Sequence, residues 1–314
     1  MKFPLFPEDA SAMAGRVDLL YFVLVGLSLF FLALIFLPMA VFLVRYRRGQ
    51  KADRSAVRLS TTVIEATWTV LPLLLALGLF AWSAKLYFDM TVPPADALEI
   101  NVVGKQWMWK IQHQEGNREL NELHIPVGQA VRLTMASEDV IHSFFIPAFR
   151  AKQDVVPGRF TTTWFKPTKV GQYRFFCAEY CGANHSQMLG TVHVMEPAAY
   201  QAWLTQGSVS DTLAQSGARL FRELGCSGCH VGSGTVRAPP LEGLYGKMTP
   251  LENGQFARAN DTYLRDSILL PGSQVRAGYE PLMPTFQGLI SEEELLQLIA
   301  YLKSLANQPP EGVR

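Results

Sequence analysis

The segment CAEYCGANHSQM, residues 177–188, carries two cysteines, one histidine and one methionine in the spacing C-x3-C-x3-H-x2-M. The whole chain has four cysteines, so this short segment holds half of them. Thiolate and thioether ligands favour copper, whereas zinc accepts cysteine and histidine readily and methionine poorly. A disulfide between Cys177 and Cys181 is the alternative, and it would leave His185 and Met188 without a role. The segment is therefore predicted to be a metal site.

Strand-like segments lie on both sides of this metal-binding segment. They are LEINVVGKQWMWKIQ (98–112), QAVRLTMA (129–136), RFTTTWF (159–165), GQYRFF (171–176) and GTVHVM (190–195), all rich in β-branched or aromatic residues. The turn signals PVGQ, VPGR and KVGQ lie between them. Several short strands separated by turns predict a small antiparallel sandwich or barrel, which we place at residues 89–206.

The composition changes around LTQGSVSD, residues 204–211, and helical patterns follow. TLAQSGARLFREL (212–224) has apolar residues three and four positions apart and is followed by Gly225. In SEEELLQLIAYLKSL (291–305), Ser291 can cap the helix and Glu294 follows three residues later. Residues 207–314 are therefore predicted to form a small all-α domain.

The other two cysteines lie in CSGCH, residues 226–230, and match the C-x-x-C-H attachment pattern of c-type haem. Cys226 and Cys229 can form thioethers with the haem vinyl groups, and His230 can bind the iron from one side. A thioredoxin-like redox pair is an alternative, but it needs a βαβ context and this motif follows a predicted helix. A zinc site would need a second pair of ligands, and no further cysteine pair remains.

A methionine is the usual sixth ligand in cytochromes c. Two methionines follow the motif, Met248 in YGKMTP and Met283 in EPLMPTF. The prolines on both sides of Met283 stiffen the backbone, as suits a loop that holds a thioether against iron. Met283 is therefore the favoured ligand, with Met248 as the alternative.

The N-terminal part of the chain contains two uncharged apolar runs, residues 19–44 and 66–84. About 20 helical residues span a bilayer, so residues 1–88 are predicted to hold a membrane hairpin with helices at about 19–44 and 66–87. A cleaved signal peptide is the alternative for the first run, which is too long for one and lacks a basic segment before it.

The loop between the two runs is strongly basic. It contains Arg45, Arg47, Arg48, Lys51, Arg54 and Arg58 against the single acidic residue Asp53. By the positive-inside rule this loop is cytoplasmic, which puts both termini and both later domains outside. Away from the loop the charges balance: residues 89–206 have 10 basic and 11 acidic side chains, and residues 207–314 have 9 and 11. This balance excludes a nucleic-acid partner.

Taken together, these motifs resemble subunit II of a haem-copper cytochrome c oxidase with a cytochrome c domain fused at its C-terminus, the caa-type arrangement. The resemblance covers nearly the whole chain and implies a cupredoxin-like Greek-key barrel at residues 89–206. It also implies that the first motif is the binuclear copper centre CuA, whose second histidine would be His142 in VIHSFFIP. The implied CuA ligands are Cys177 and Cys181 as bridging thiolates, His142 and His185, Met188 as a weak ligand, and the backbone carbonyl of Glu179.

Further segments match the same family. GKQWMW implies that Trp107 is where electrons reach CuA, although Met108 stands where the family usually has tyrosine. TVIEATWTVLP implies that Glu65 lies at the entrance of a proton pathway into subunit I. The side chain of Glu179 would reach a magnesium ion shared with subunit I, and QDVVPGR (153–159) would face that subunit.

The resemblance implies an electron-transfer subunit in a bacterial inner membrane. Electrons would pass from cytochrome c through the chain's own haem c and CuA to haem in oxidase subunit I, where oxygen is reduced to water and protons are pumped. No oxygen-reducing catalytic residue is expected in this chain, and other oxidase subunits are expected partners. The alternatives are a CuA-containing nitric oxide reductase subunit, a quinol oxidase subunit, which would lack the copper ligands, and a copper-storage or assembly protein.

Overall fold

The structure, a computed structural model, describes residues 6–49, 51, 60–207, 211–231 and 238–307. The chain divides into two compact units, Ala12–Val92 and Met1–Ser11 together with Pro93–Arg314. Each unit is described by itself. The predicted loop charges of Asp53, Arg54 and Arg58 lie outside the described residues, so the predicted orientation of the hairpin in the membrane stays a prediction.

The smaller unit contains the two predicted apolar helices, α1 (Ala14–Arg45) and α2 (Thr61–Thr91). Both are long and apolar enough to cross a membrane. At about 1.5 Å per residue each is about 45 Å long, which exceeds the bilayer core of about 30 Å. Each helix therefore extends beyond its predicted bounds, α1 to include Arg16 and α2 to include Asp89. The charged groups of these two side chains lie 2.5 Å apart.

The β domain of the larger unit has ten strands. They are β1 (Leu98–Lys105), β2 (Met108–His113), β3 (Arg118–Leu120), β4 (Glu122–Pro126), β5 (Val131–Ser137), β6 (His142–Ile146), β7 (Ala151–Val155), β8 (Thr161–Phe165), β9 (Gly171–Cys177) and β10 (Leu189–Met195). They form two five-stranded sheets in the orders β3-β2-β1-β5-β8 and β4-β10-β9-β6-β7. The predicted cupredoxin-like β fold is confirmed, but the sheets are mixed rather than antiparallel, with β1 parallel to β5 and β4 parallel to β10.

The core of the β domain lies between the two sheets. Ile100 and Val102 of β1 and Leu133 and Met135 of β5 are fully buried, in the alternation that a two-layer sandwich requires. Trp109 packs edge-on against Phe144 across the core, with ring centres 5.0 Å apart. This core fixes strands β6 and β9, which carry two of the predicted copper ligands.

After β10, helix α3 (Pro197–Gly207) packs on the β domain, where the rings of Tyr200 and Trp203 contact His113 and His124. The α domain has four helices and one short hairpin within the described residues. The helices are α4 (Leu213–Glu223), α5 (Ser227–His230), α6 (Asp261–Leu269) and α7 (Glu292–Ser304), and the hairpin pairs β11 (Met248–Pro250) with β12 (Phe256–Arg258). Thr212 and Ser291 form capping boxes with Gln215 and Glu294, as the sequence predicts at Ser291.

Helix α4 crosses α7 at very close range. A Cβ atom on Gly217 would lie 1.9 Å from the carbonyl oxygen of Gln297, so only glycine fits at this crossing. The packing of α4 on α7 sets the position of the haem motif, because Cys226 follows the end of α4 after Leu224 and Gly225.

Candidate copper and haem sites

Four predicted copper ligands come from the ends of strands and the loop between them. His142 begins β6 and Cys177 ends β9, and these strands are paired next to each other through Phe144 and Cys177. Cys181 and His185 lie in the loop from β9 to β10, where residues 185–187 form a 3-10 turn. The loop therefore folds back over the sheet edge and brings its side chains towards His142.

The donor atoms of this loop converge on one small region. The Cys177 and Cys181 sulfur atoms lie 3.7 Å apart, and each thiol has its own imidazole: His142 Nδ1 is 3.9 Å from Cys177 Sγ, and His185 Nδ1 is 3.5 Å from Cys181 Sγ. Met188 Sδ lies 3.7 Å from Cys181 Sγ. The Cys177 thiol donates to the Glu179 carbonyl oxygen at 3.2 Å. The structure thus brings all the predicted CuA donor atoms together.

These spacings fit metal ions held between the donors. Two ligands at about 2.0–2.3 Å from a tetrahedral metal lie about 3.3–3.8 Å from each other. All four cysteines are free thiols, and the 3.7 Å between Cys177 and Cys181 far exceeds a disulfide bond of about 2.05 Å. The disulfide alternative is therefore not the state of this structure.

The two thiols differ in acidity. Burial alone would raise the pKa of Cys177, but hydrogen bonds with His142 and with the backbone of Ser143 and Glu179 outweigh it and lower the pKa to about 6. Burial and the neighbouring Cys177 raise the pKa of Cys181 to about 12. Cys177 is therefore the more acidic thiol of the pair. Bound metal cations would let both thiols ionise, because a coordinating thiol loses its proton.

A carboxylate that the sequence reading missed holds His142 in place. His142 Nε2 donates to Asp139 Oδ1 at 2.7 Å, which leaves Nδ1 directed at the copper site. Asp139 is itself fixed by the backbone N–H groups of Gln106 and Val140, each at 2.7 Å. A carboxylate that accepts a hydrogen bond from the second ring nitrogen of a ligating histidine is a common feature of metal sites. The position of Asp139, three residues before His142, was the sequence signal that could have identified it.

Trp107 contacts the copper loop directly. Its indole N–H donates to the Cys181 carbonyl oxygen at 3.1 Å, and the Gln106 amide donates to the same oxygen at 2.8 Å. Both residues lie in the turn between β1 and β2. Gly104, just before this turn, packs tightly on the site, because a Cβ atom there would lie 3.1 Å from the His142 ring. The β1–β2 hairpin therefore supports both the loop and one imidazole.

The haem motif lies beside an apolar cavity of the α domain. The cavity is lined by Cys226, Cys229, His230 and Met283, by apolar side chains of α4, α6 and α7, and by the loop that leads to Met283. His230 Nδ1 lies 2.9 Å from the Pro239 carbonyl oxygen, which fixes the proton on Nδ1 and leaves Nε2 as the metal-binding atom. Two thiols, an imidazole and an apolar cavity fit a covalently bound haem.

The two candidate axial methionines lie in different surroundings. Met283 lines the same cavity as the motif, and it packs against the core of the α domain. Met248 lies in β11 and its side chain is 61% exposed. Met283 is therefore placed to serve as the axial ligand.

The two predicted glutamate sites face outward from this chain. Glu65 lies in the first turns of α2 with an exposed side chain, and the Glu179 side chain is exposed at the edge of the copper loop. Their predicted roles involve groups on subunit I, so both stay predictions.

Two family models match the larger unit. Residues 116–195 match "Cytochrome C oxidase subunit II, periplasmic domain", and residues 214–306 match "Cytochrome c". Cytochrome c oxidase subunit 2 of Alkalihalophilus pseudofirmus is 31% identical over 84% of this chain and 80% of its own length. The alternative cytochrome c oxidase subunit 2 of Bradyrhizobium diazoefficiens is 31% identical over 55% of this chain and 73% of its own length.

One solved structure is also similar to part of this chain. The periplasmic domain of subunit II of cytochrome oxidase (CoxB) of Bradyrhizobium japonicum is 31% identical. It covers 37% of this chain and 96% of its own length, with a TM-score of 0.36.

Proposed function

Since this chain belongs to the cytochrome c oxidase subunit II family, we propose that it relays electrons through its own haem c and a binuclear CuA centre. In this proposal cytochrome c reduces the haem, and CuA passes the electrons on to haem in subunit I. Oxygen reduction to water and proton pumping then take place in subunit I, as part of a cytochrome-c oxidase.

The pairing of each thiol with its own histidine is the observation that carries the copper half of this proposal. Cys177 and Cys181 would bridge two copper ions, with His142 and His185 as terminal ligands. The Met188 thioether and the Glu179 carbonyl would complete the two coordination shells. A binuclear centre with shared thiolates supplies one-electron transfer with little change in bond length.

The α domain supports the haem half of the proposal. Cys226 and Cys229 would hold the haem through thioether bonds, and His230 and Met283 would bind the iron from opposite sides. Met283→Ala should abolish the near-infrared methionine-to-haem band, whereas Met248→Ala should leave that band in place. The reverse pattern would move the axial ligand to Met248.

The remaining roles concern partners of the chain. Trp107 would receive electrons for CuA, because its indole is bonded to the copper loop. Glu65 would lie at the entrance of a proton pathway, and the Glu179 side chain would bind magnesium together with subunit I. We place the complex in the bacterial inner membrane, with both later domains on the extracytoplasmic side.

Metal analysis and electron paramagnetic resonance of the purified complex test this function. We expect two copper ions and one covalent haem per chain, and a seven-line copper hyperfine pattern in the mixed-valence state. Zinc or a single copper would contradict the CuA assignment, and exchangeable copper(I) without covalent haem would indicate storage instead. Turnover with nitric oxide but not with oxygen would identify a nitric oxide reductase component.

A further inference from the structure

The α domain covers the outer face of the sheet β3-β2-β1-β5-β8. On this face the polar side chains of Asn101, Gln112 and Thr134 are at least 94% buried. The apolar cores of the two domains are separate clusters. Within the described residues, Phe160 is the one apolar side chain of the β domain that packs against the core of the α domain. Val103 and Ala136 are also fully buried on this face, so the interface combines polar contacts with a few apolar side chains outside both cores.

Four charged side chains form a closed ring across this interface. Arg132 and Glu99 of the β domain lie 3.2 Å apart, and Lys303 and Asp261 of the α domain lie 3.6 Å apart. Across the interface, Glu99 pairs with Lys303 at 2.8 Å and Arg132 with Asp261 at 3.7 Å. The signs alternate around the ring, so every neighbouring pair attracts.

The electrostatics of the ring favour its charged form. Burial alone would lower the pKa of Lys303, but Asp261 and Glu99 raise it above the ordinary value. The four side chains are still 13–32% exposed, so dissolved salt can screen them. The ring is thus charged at neutral pH and sensitive to ionic strength.

A second ionic contact ties the α domain to the copper side of the β domain. Lys110 of β2 pairs with Glu293 at the start of α7 at 2.6 Å, and with Glu138 at 3.2 Å. Glu138 precedes Asp139, which holds the copper ligand His142. Arg265 of α6 also donates to the Gly158 carbonyl oxygen at 3.1 Å.

We propose that this face of the β sandwich is a reversible docking surface for the cytochrome c domain of the same chain, positioned by the four-charge ring and released by salt. Polar interfaces between domains of one chain resemble transient protein–protein interfaces, and domain motion is expected unless the interface is large and hydrophobic. The consequence for electron transfer rests on the proposed function: haem-to-CuA transfer requires the docked state, and release frees the haem domain to meet an external donor.

Zero-length carbodiimide cross-linking of the intact complex measures docking without using either cofactor. The reagent joins lysine to a carboxylate in direct contact, so a Lys110–Glu293 link reports the docked state and a Lys110–Glu138 link is the reference within one domain. Raising ionic strength from about 0.01 to 1 M shortens the Debye length from about 30 to about 3 Å. We expect the ratio of the two links to fall on the order of tenfold, since several ion pairs are screened together.

Charge exchange within each domain gives a matched set of variants. Glu99→Lys with Arg132→Glu keeps the net charge and the pair inside the β domain, but makes both contacts across the interface repulsive. Asp261→Lys with Lys303→Glu does the same from the α domain. Either double variant should lower the link ratio and slow flash-induced haem-to-CuA transfer about tenfold. The quadruple variant restores alternating signs and should recover both quantities.

Two results would overturn the proposal. One is a link ratio that does not change with salt, and the other is a quadruple variant no better docked than either double variant. Failure of the proposed function is distinguishable, because a chain that does not form CuA would still give a salt-dependent link ratio.

Discussion

The copper loop and the haem motif prepare their sites in different ways. The copper donors lie on two strands and a loop of a sandwich whose core is filled by its own side chains, such as Trp109 and Phe144. The haem motif instead lines an apolar cavity enclosed by helices α4, α6 and α7. In the β domain, the folded strands and loop already bring the copper donors together. In the α domain, a bound haem would fill the cavity and so complete the apolar core. Removing each group should therefore have different consequences.

The largest expected effect follows loss of haem attachment. In a Cys226→Ser, Cys229→Ser double variant no covalent haem should form, so the cavity lined by Phe221, Leu264 and Leu298 would be left without its occupant. Unfilled apolar cavities destabilise a core by several kcal/mol, about 24 cal/mol per Å³. Hydrogen exchange of α4, α6 and α7 should become fast while the β strands stay protected. Normal protection of these helices without haem would show that the cavity is not part of the core.

Loss of a bridging thiolate should abolish copper binding completely, but its effect on the structure should be confined to the copper loop. Cys181→Ser removes a bridging ligand, so copper analysis should find no binuclear centre. The strands should exchange as in metal-free wild-type protein, with a change in unfolding free energy of about 1 kcal/mol or less, because serine is close in size to the buried Cys181. Unfolding of β6 and β9 in this variant would mean that copper holds the sandwich together.

Local patterns made much of the fold predictable. The capping box at Ser291 and the apolar spacing of residues 212–224 predicted α7 and α4 within a residue or two. The strands with continuous β-branched or aromatic runs were also predicted. Four strands of the sandwich were missed: β3 and β4 are short and polar in the segment RELNELHIP (118–126), and β6 and β7 were not separated by a clear turn signal. The short hairpin of β11 and β12, in the domain predicted to be all-α, was missed as well.

The candidate sites also combine residues that the sequence identifies with residues that it does not. The ligand motifs are local in sequence, so residues 177–188 and 226–230 could be identified directly. Asp139 and Pro239 lie only three and nine residues from His142 and His230, but each acts through one hydrogen bond whose geometry the folded loop sets. The ring of Glu99, Arg132, Asp261 and Lys303 joins residues more than 100 positions apart, so only the folded chain brings it together.

A smaller effect is expected from the carboxylate behind His142. Asp139→Ala removes the acceptor for His142 Nε2, so the imidazole is no longer held with Nδ1 towards the copper. Loss of such a supporting carboxylate commonly weakens metal affinity about 10–100-fold. Competition with a copper chelator measures this change, and Asp139→Asn, which keeps an acceptor oxygen, should recover part of it. Asp96→Asn, at an exposed position, is the control and should bind copper normally.

The smallest expected effect tests the contact between Trp107 and the copper loop. Trp107→Phe keeps an aromatic ring but loses the N–H that donates to the Cys181 carbonyl, a hydrogen bond worth about 1 kcal/mol. Haem-to-CuA transfer should slow a few-fold, and the copper hyperfine pattern should shift slightly as the loop relaxes. Trp164→Phe is a matched control, because Trp164 is a half-buried residue whose indole nitrogen is buried and has no hydrogen-bond partner among the described residues. If both variants slow transfer equally, Trp107 contributes only packing, and the copper loop is positioned by the sandwich rather than by this hydrogen bond.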